Sequence, residues 1–384
     1  MMQALKGIRV VDQGTFITGP CAAMMLADLG ADVIKIESLE GDPYRSYQSG
    51  RYSPHFQAYN RNKRGVALDL KLDADRGLFD ALVREADVYI QNFRPGTAQR
   101  LGASVERLHE LNPKLIYCSI SGFGANGPYV ERPSYDSVAQ ALSGFLSVVV
   151  DPERPRFMGP ALADAITGIY AAYGIMGALL ERVRSGRGRL VEVSMLEAMT
   201  HFAVEPFAAF FALGDVPRSS DRPRLAQAYI LRTADAQLLA IHLSSLEKFW
   251  TGLLSALDAP EFAQDRRFNS RQGRIEQYEA LGTELDALFR KRPLTEWIER
   301  LGRHDVPFAP INSVDAVVKD PQVEHLQIVV PVVDAIEGGR QAIRPAVQFD
   351  GQRAPHVRAA PLLDQHGGNI RAALAQDPRW PERS

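Results

Sequence analysis

Cysteine is nearly absent from this chain. Cys21 and Cys118 are the only two in 384 residues, and they form no CxxC pair. That argues against a disulfide framework or a cysteine-built zinc site and fits a cytosolic protein. The opening stretch, MMQALKGIRVVD, lacks the apolar core of a secretory leader. No run approaches the roughly 20 apolar residues of a membrane span, so none is expected. Charge of one sign is not in surplus: 44 basic residues against 46 acidic leave a net charge of −2. Neither nucleic acid nor an anionic membrane is therefore expected as a partner. The glycine fingerprints of nucleotide enzymes are missing too. After the first strand-like stretch the chain reads DQGTFITGP, not GxGxxG, and GxxxxGK[ST] occurs nowhere. A nicotinamide or ATP enzyme is disfavoured on that ground.

What is present is an ordinary globular composition, 46% apolar and 23% charged, in a chain long enough for two domains. The first third alternates strand-like and helix-like stretches. GIRVVD (7–12), DVIKIE (32–37), 64–70, 87–92 and 114–119 read as strands, with helices at 19–29 and 73–86. Such alternation predicts a mostly parallel sheet with helices on both faces. Residues 163–184 form the longest apolar helical pattern, closed by SGRGR, and LVEVSM (190–195) follows as a strand. Residues 214–224, GDVPRSSDRPR, read as a linker. A hairpin over 229–243 and helices over 245–257, 271–290 and 294–304 come next. The expected organisation is α/β: a large Rossmann-like domain from 1–213 plus 326–384, and a smaller α/β domain over 225–325. Strands at 328–334 and 340–349 are expected to return to the larger body.

Several segments resemble the family III CoA-transferases in order and spacing across nearly the whole chain. They are GIRVVD with GP and LADLGADVIKIE, NRNKRGVALDLK (60–71), DVYIQNFRPGTAQRLG (87–102) and LNPKLIYCSISGFGANGPY (111–129). SYDSVAQALSG (134–144), ADAITG, GRGRLVEVSMLEA, VPFAPINSVDAV and APLLDQH complete the set. The resemblance implies a CoA-transferase with acyl-CoA and a carboxylic acid as substrates, no tightly bound cofactor, and an interlocked homodimer.

Asp164, in ADAITG, carries most of the weight. By position it reads as an N-cap, satisfying free amides at a helix start. By resemblance it is the nucleophile that attacks the thioester, giving a mixed anhydride and then an aspartyl-CoA thioester. A helix N-terminus favours negative charge and is expected to keep this carboxylate ionised. The resemblance places CoA contacts in the segments holding Ile17, Ser38, Leu68, Lys71, Asn92, Phe93 and Arg100. Lys71 and Arg100 suit phosphate, although as residue types they also read as solvated helix-face charges. Asn92, Phe93 and Arg94 follow the C-terminal end of a strand, where open α/β sheets bind ligands.

The chain departs from formyl-CoA transferases in having Thr15 and Ile17 at positions that are polar there. It also shows no glycine-rich loop between Gly214 and Tyr229. Both departures point toward an acid less polar than oxalate or formate. The alternative is an α-methylacyl-CoA racemase on the same fold. Racemases hold a histidine just before the aspartate of SYDSVAQ; here Tyr135 precedes Asp136, and a phenol of ordinary pKa about 10 is a poor base. Tyr135 reads either as a packed aromatic or as part of a substrate wall. Arg132 reads as a solvated arginine or as a partner for a carboxylate or phosphate.

Overall fold

The computed structural model describes residues 3–48, 50–157, 159–244, 247–334 and 339–382. The chain forms two compact units. One comprises Met1–Leu146, Phe157–Val204 and Glu324–Ser384, the other Ser147–Arg156 and Glu205–Val323.

The first unit is built on six parallel strands: β1 (Arg9–Asp12), β2 (Asp32–Glu37), β3 (Arg64–Ala67), β4 (Val88–Gln91), β5 (Ile116–Ser121) and β6 (Arg189–Ser194). Their order is β3-β2-β1-β4-β5-β6, the doubly wound Rossmann arrangement. The central strands are apolar runs because both of their faces are covered. Val10, Val33 and Ile90 pack against helices α1 (Thr18–Asp28) and α3 (Leu162–Ser185) on one side. Val11, Ile34, Tyr89 and Tyr117 meet Phe79, Leu82 and the C-terminal Trp380 on the other.

Helix α3 crosses α1 closely. A Cβ on Gly168 would lie 2.7 Å from Cys21 Cβ and 3.0 Å from the Thr18 carbonyl oxygen, so only glycine fits there. By length and composition α3 could cross a membrane, contrary to the expectation that no stretch would qualify. Half of its most apolar window is buried inside the protein, as befits a core helix.

Strands β10 (Val329–Val333), β11 (Gln341–Ile343) and β12 (Val357–Arg358) form their own three-stranded sheet. As expected, the strands at 329–333 and 341–343 fall in the first, larger unit, but they form a sheet separate from the main one. The chain end does reach it: Arg64 donates to the Pro381 carbonyl and Trp380 Nε1 to Asp32.

In the second unit, β7 (Ala228–Arg232) and β8 (Leu238–His242) make the hairpin, with β9 (Phe308–Pro310) antiparallel on β8. Trp250, Leu253, Leu281, Phe289 and Trp297 form its core. The 271–290 helix breaks at Gln277 into Arg271–Glu276 and Tyr278–Phe289. The end of the 214–224 stretch is helical, over Asp221–Ala226. Ser245 and Leu246, with which the 245–257 helix opens in sequence, lie outside the described residues; the helix runs Glu247–Leu257.

Candidate active site

In the sheet order, the direction of winding reverses between β1 and β4. Doubly wound sheets bind ligands in the crevice beyond the strand ends at such a point. The segments that leave those two strands are tied together there. Asn92 Oδ1 accepts from Thr15 N at 2.8 Å, and its Nδ2 donates to Thr15 O and Thr18 Oγ1, each at 2.8 Å. A fully buried ion pair holds the same loop from behind. Lys35 Nζ reaches Asp42 Oδ2 at 3.0 Å and donates to Gly14 O at 2.8 Å. Asp42 Oδ1 accepts from Phe16 N at 3.1 Å. Phe16 is consequently fixed at φ 58°, a left-handed conformation that costs a side-chain-bearing residue energy. Its ring meets Tyr44 at 5.9 Å and Tyr135 at 6.3 Å. A second buried pair, Lys63–Asp12, lies beneath.

Asp164 occupies the third position of α3, after Leu162 and Ala163, and Ala161 is the N-cap. It is not the capping residue. The cap comes from Asp136, the first residue of α2 (Asp136–Leu142), whose Oδ1 accepts from Ala163 N at 2.8 Å and Asp164 N at 3.3 Å. Asp136 Oδ2 accepts from Gln140 Nε2 at 2.7 Å. The half-buried Asp164 carboxyl is pushed up from 3.8 to about 7, first by burial and then by the neighbouring Asp136 charge. The expectation that the helix end would keep it fully ionised is thus corrected: desolvation and a like charge outweigh the helix dipole. Nearby, burial first, then Tyr59, Tyr47 and Asp164, push the Tyr44 hydroxyl up to about 12, so it stays a donor.

Thr15, Thr18, Asn92 and Asp164 line one cavity of about 880 Å³, large enough for part of a cofactor-sized ligand. Of the residues singled out from sequence, Ile17, Asn92, Phe93, Arg94, Arg132, Tyr135 and Asp164 line it together. Ser38 just after β2, Lys71 four residues after β3 and Arg100 at the end of the short helix Thr97–Arg100 are exposed and outside this lining, and Leu68 points into the core. Arg100 donates to Thr97 Oγ1 at 2.8 Å. Phe16, Tyr44 and Asp136 also line the cavity, without having been singled out. Among the described residues no histidine lines it, and no group of three metal-ligating side chains occurs.

The fold and site define an α/β enzyme with a half-buried carboxylate at a sheet's topological switch point. The family model for CoA-transferase family III matches residues 5–367. The chain is 33% identical to the acetyl-CoA:oxalate CoA-transferase of Acetobacter aceti, over 96% of this chain and 95% of that one. It is 32% identical to the succinate–glutarate CoA-transferase of Agrobacterium fabrum, over 96% and 95%. A CaiB/BaiF family protein from Brucella suis superposes with a TM-score of 0.87 at 32% identity, covering 97% of this chain and all of that one. The chain belongs to CoA-transferase family III.

Proposed function

We propose that the chain moves CoA from an acyl-CoA to a free carboxylic acid with Asp164 as the covalent nucleophile. One observation carries this reading. Among the described residues two carboxylates line the cavity, and both oxygens of Asp136 are engaged by the α3 amides and Gln140. Asp164 is the carboxylate with oxygens left to attack.

The Asp164 carboxylate adds to the thioester carbonyl. A C–O bond forms, the C–S bond breaks, and CoA leaves as thiolate from a mixed anhydride. The thiolate then attacks the Asp164 carbonyl; a C–S bond forms, the anhydride C–O bond breaks, and the donor acid departs. The acceptor carboxylate reverses both steps. One thioester is exchanged for another of similar energy, so no other energy source is required. Desolvation that raises the Asp164 pKa also leaves its ionised form a stronger nucleophile.

In this reading Ile17, Asn92, Phe93 and Arg94 flank the CoA thioester. Lys71 and Arg100, with Ser38 beside them, meet its phosphates, and Leu68 offers only its main chain. The names of the relatives favour small carboxylic acids as substrates. A cytoplasmic homodimer is also proposed, supported by apolar side chains left exposed on α3, among them Tyr173, Leu180 and Val183 at 71%, 69% and 83%. The racemase alternative finds no support in a cavity without histidine.

The test is to add acetyl-CoA or succinyl-CoA, then hydroxylamine, and map the modified residue by mass. Asp164 is expected to react only after acyl-CoA is added, and Asp164→Asn to abolish both labelling and transfer. Labelling without acyl-CoA, labelling elsewhere, or turnover by the Asn variant overturns the mechanism.

A further inference from the structure

Beyond the attacking carboxylate, the cavity holds an arginine with no anionic partner among the described residues. Arg132 lines the cavity and its guanidinium lies 4.4 Å from the Tyr129 ring centroid and 5.8 Å from that of Phe123. The two rings meet edge-on at 5.9 Å, making an aromatic seat. Among the described residues no ion pair or side-chain hydrogen bond engages Arg132. An arginine stacked by its face keeps its N–H edge free, and that edge matches a carboxylate with two parallel bonds. Two residues on, Ser134 Oγ is buried without a hydrogen-bond partner and its residue lines the same cavity. A donor left unsatisfied in a native site calls for a partner that comes with the ligand.

The chain path ties this pair to Asp164. The loop runs from Arg132 through Ser134 and Tyr135 to Asp136, which touches the Asp164 amide. Arg94, the other cation in the lining, instead leaves β4 beside Asn92 and Phe93. Close to Asp164 the charged neighbour is Asp136, and no cation is paired with Asp164 among the described residues. A second carboxylate directly bonded to the reacting carbon, as in oxalate, would sit against like charge. One set off by methylene groups stands away from that charge.

Building on the transferase reading, we propose that Arg132, with Ser134, receives the second carboxylate of the acid substrate.

The experiment compares glutaryl-CoA with pentanoyl-CoA, which have equal acyl length and differ in the terminal carboxylate. Their binding to the Asp164→Asn protein, which cannot turn over in this reading, is measured by calorimetry. The same is done after adding Arg132→Gln, Arg132→Lys or Ser134→Ala. The expected result is tighter binding of glutaryl-CoA by about tenfold to a hundredfold, the range of a hydrogen-bonded charge contact. Arg132→Gln is expected to remove the preference, Arg132→Lys to restore part of it, and Ser134→Ala to weaken it less. No preference in the parent protein overturns the proposal, as does an Arg132→Gln effect equal for both ligands. In parallel, wild-type and Arg132→Gln proteins are assayed for transfer to glutarate and pentanoate. A binding preference without transfer to any acid would defeat the transferase reading and leave the carboxylate receptor standing. Transfer with no Arg132-dependent preference would do the reverse.

Discussion

Asp136 Oδ1 accepts hydrogen bonds from the Ala163 and Asp164 amides at 2.8 and 3.3 Å, so one carboxylate caps the helix that presents the other. The arrangement has two opposed consequences. The helix start gains the acceptor that Ala161 cannot provide. Asp164 gains a like charge beside it, which adds to burial in opposing its ionisation.

The pH dependence of transfer follows from this relationship. The attacking form of Asp164 is ionised, and its carboxyl is pushed up to about 7. The value of kcat/KM, which reports the free enzyme, is expected to rise with pH up to about 7 and then level off. Asp136→Asn keeps an oxygen acceptor for the cap and removes the charge. Its acidic limb is expected to move to lower pH, by roughly 0.5–1 unit from Coulomb repulsion at partly exposed sites. A profile flat between pH 5 and 8, or one that Asp136→Asn moves upward, would contradict the assignment.

Stability carries the same signature with the opposite benefit. A carboxyl whose folded pKa lies above its unfolded value holds a proton in the folded state that the unfolded chain has released. Its contribution is fully present below about 3.8 and is lost as pH rises through about 7. Above that, wild-type protein carries an ionised half-buried Asp164, at a cost of about 1–3 kcal/mol after allowing for solvent contact. Asp164→Asn has no such cost. Its Tm is expected to exceed that of wild type by a few degrees at pH 8 and by less at pH 5. Thermal melts at the two pH values decide this; an equal difference at both would mean that the charge is not the cause.

The mostly parallel sheet was foreseeable because buried parallel strands leave runs rich in Val and Ile, such as IRVV and DVIKI, and those runs alternate with amphipathic stretches. Asp164 could be singled out as a candidate because ADAITG sits between distinctive neighbours. Its ionisation was not, since burial and the approach of Asp136 arise from contacts 27 and 28 residues apart. Phe16 was equally hidden. Nothing in GTFIT marks a phenylalanine for positive φ, and the groups that impose it, Asp42, Lys35 and Asn92, come from other segments. Lys35 in DVIKIE looks like an exposed edge charge; only the folded sheet shows it fully buried. The strands near the C-terminus were legible as part of the larger body, but their pairing was not: β10 pairs with β11 and β12 in a sheet of their own.

The Lys35–Asp42 pair gives a prediction that separates folding from site geometry. Both side chains are fully buried, and together they hold Gly14 O and Phe16 N. Lys35→Met leaves Asp42 charged and unpaired in the interior, a change that typically costs about 3–5 kcal/mol. It also frees the loop that places Ile17 and Phe16 against the cavity. Tm and kcat/KM are therefore both expected to fall, the latter at least tenfold by analogy with small misplacements of catalytic groups. Adding Asp42→Leu removes the stranded charge, and replacing a buried pair by apolar residues is often neutral for stability. The double variant is expected to recover most of the lost Tm. It has no acceptor for Phe16 N and no donor for Gly14 O, so the left-handed turn loses two of its restraints and transfer stays low. Melting curves and steady-state kinetics on the wild type, the single variant and the double variant check this. If transfer returns along with stability, the pair is only part of the core. If stability returns and transfer does not, the buried charges hold the loop in the shape the site requires.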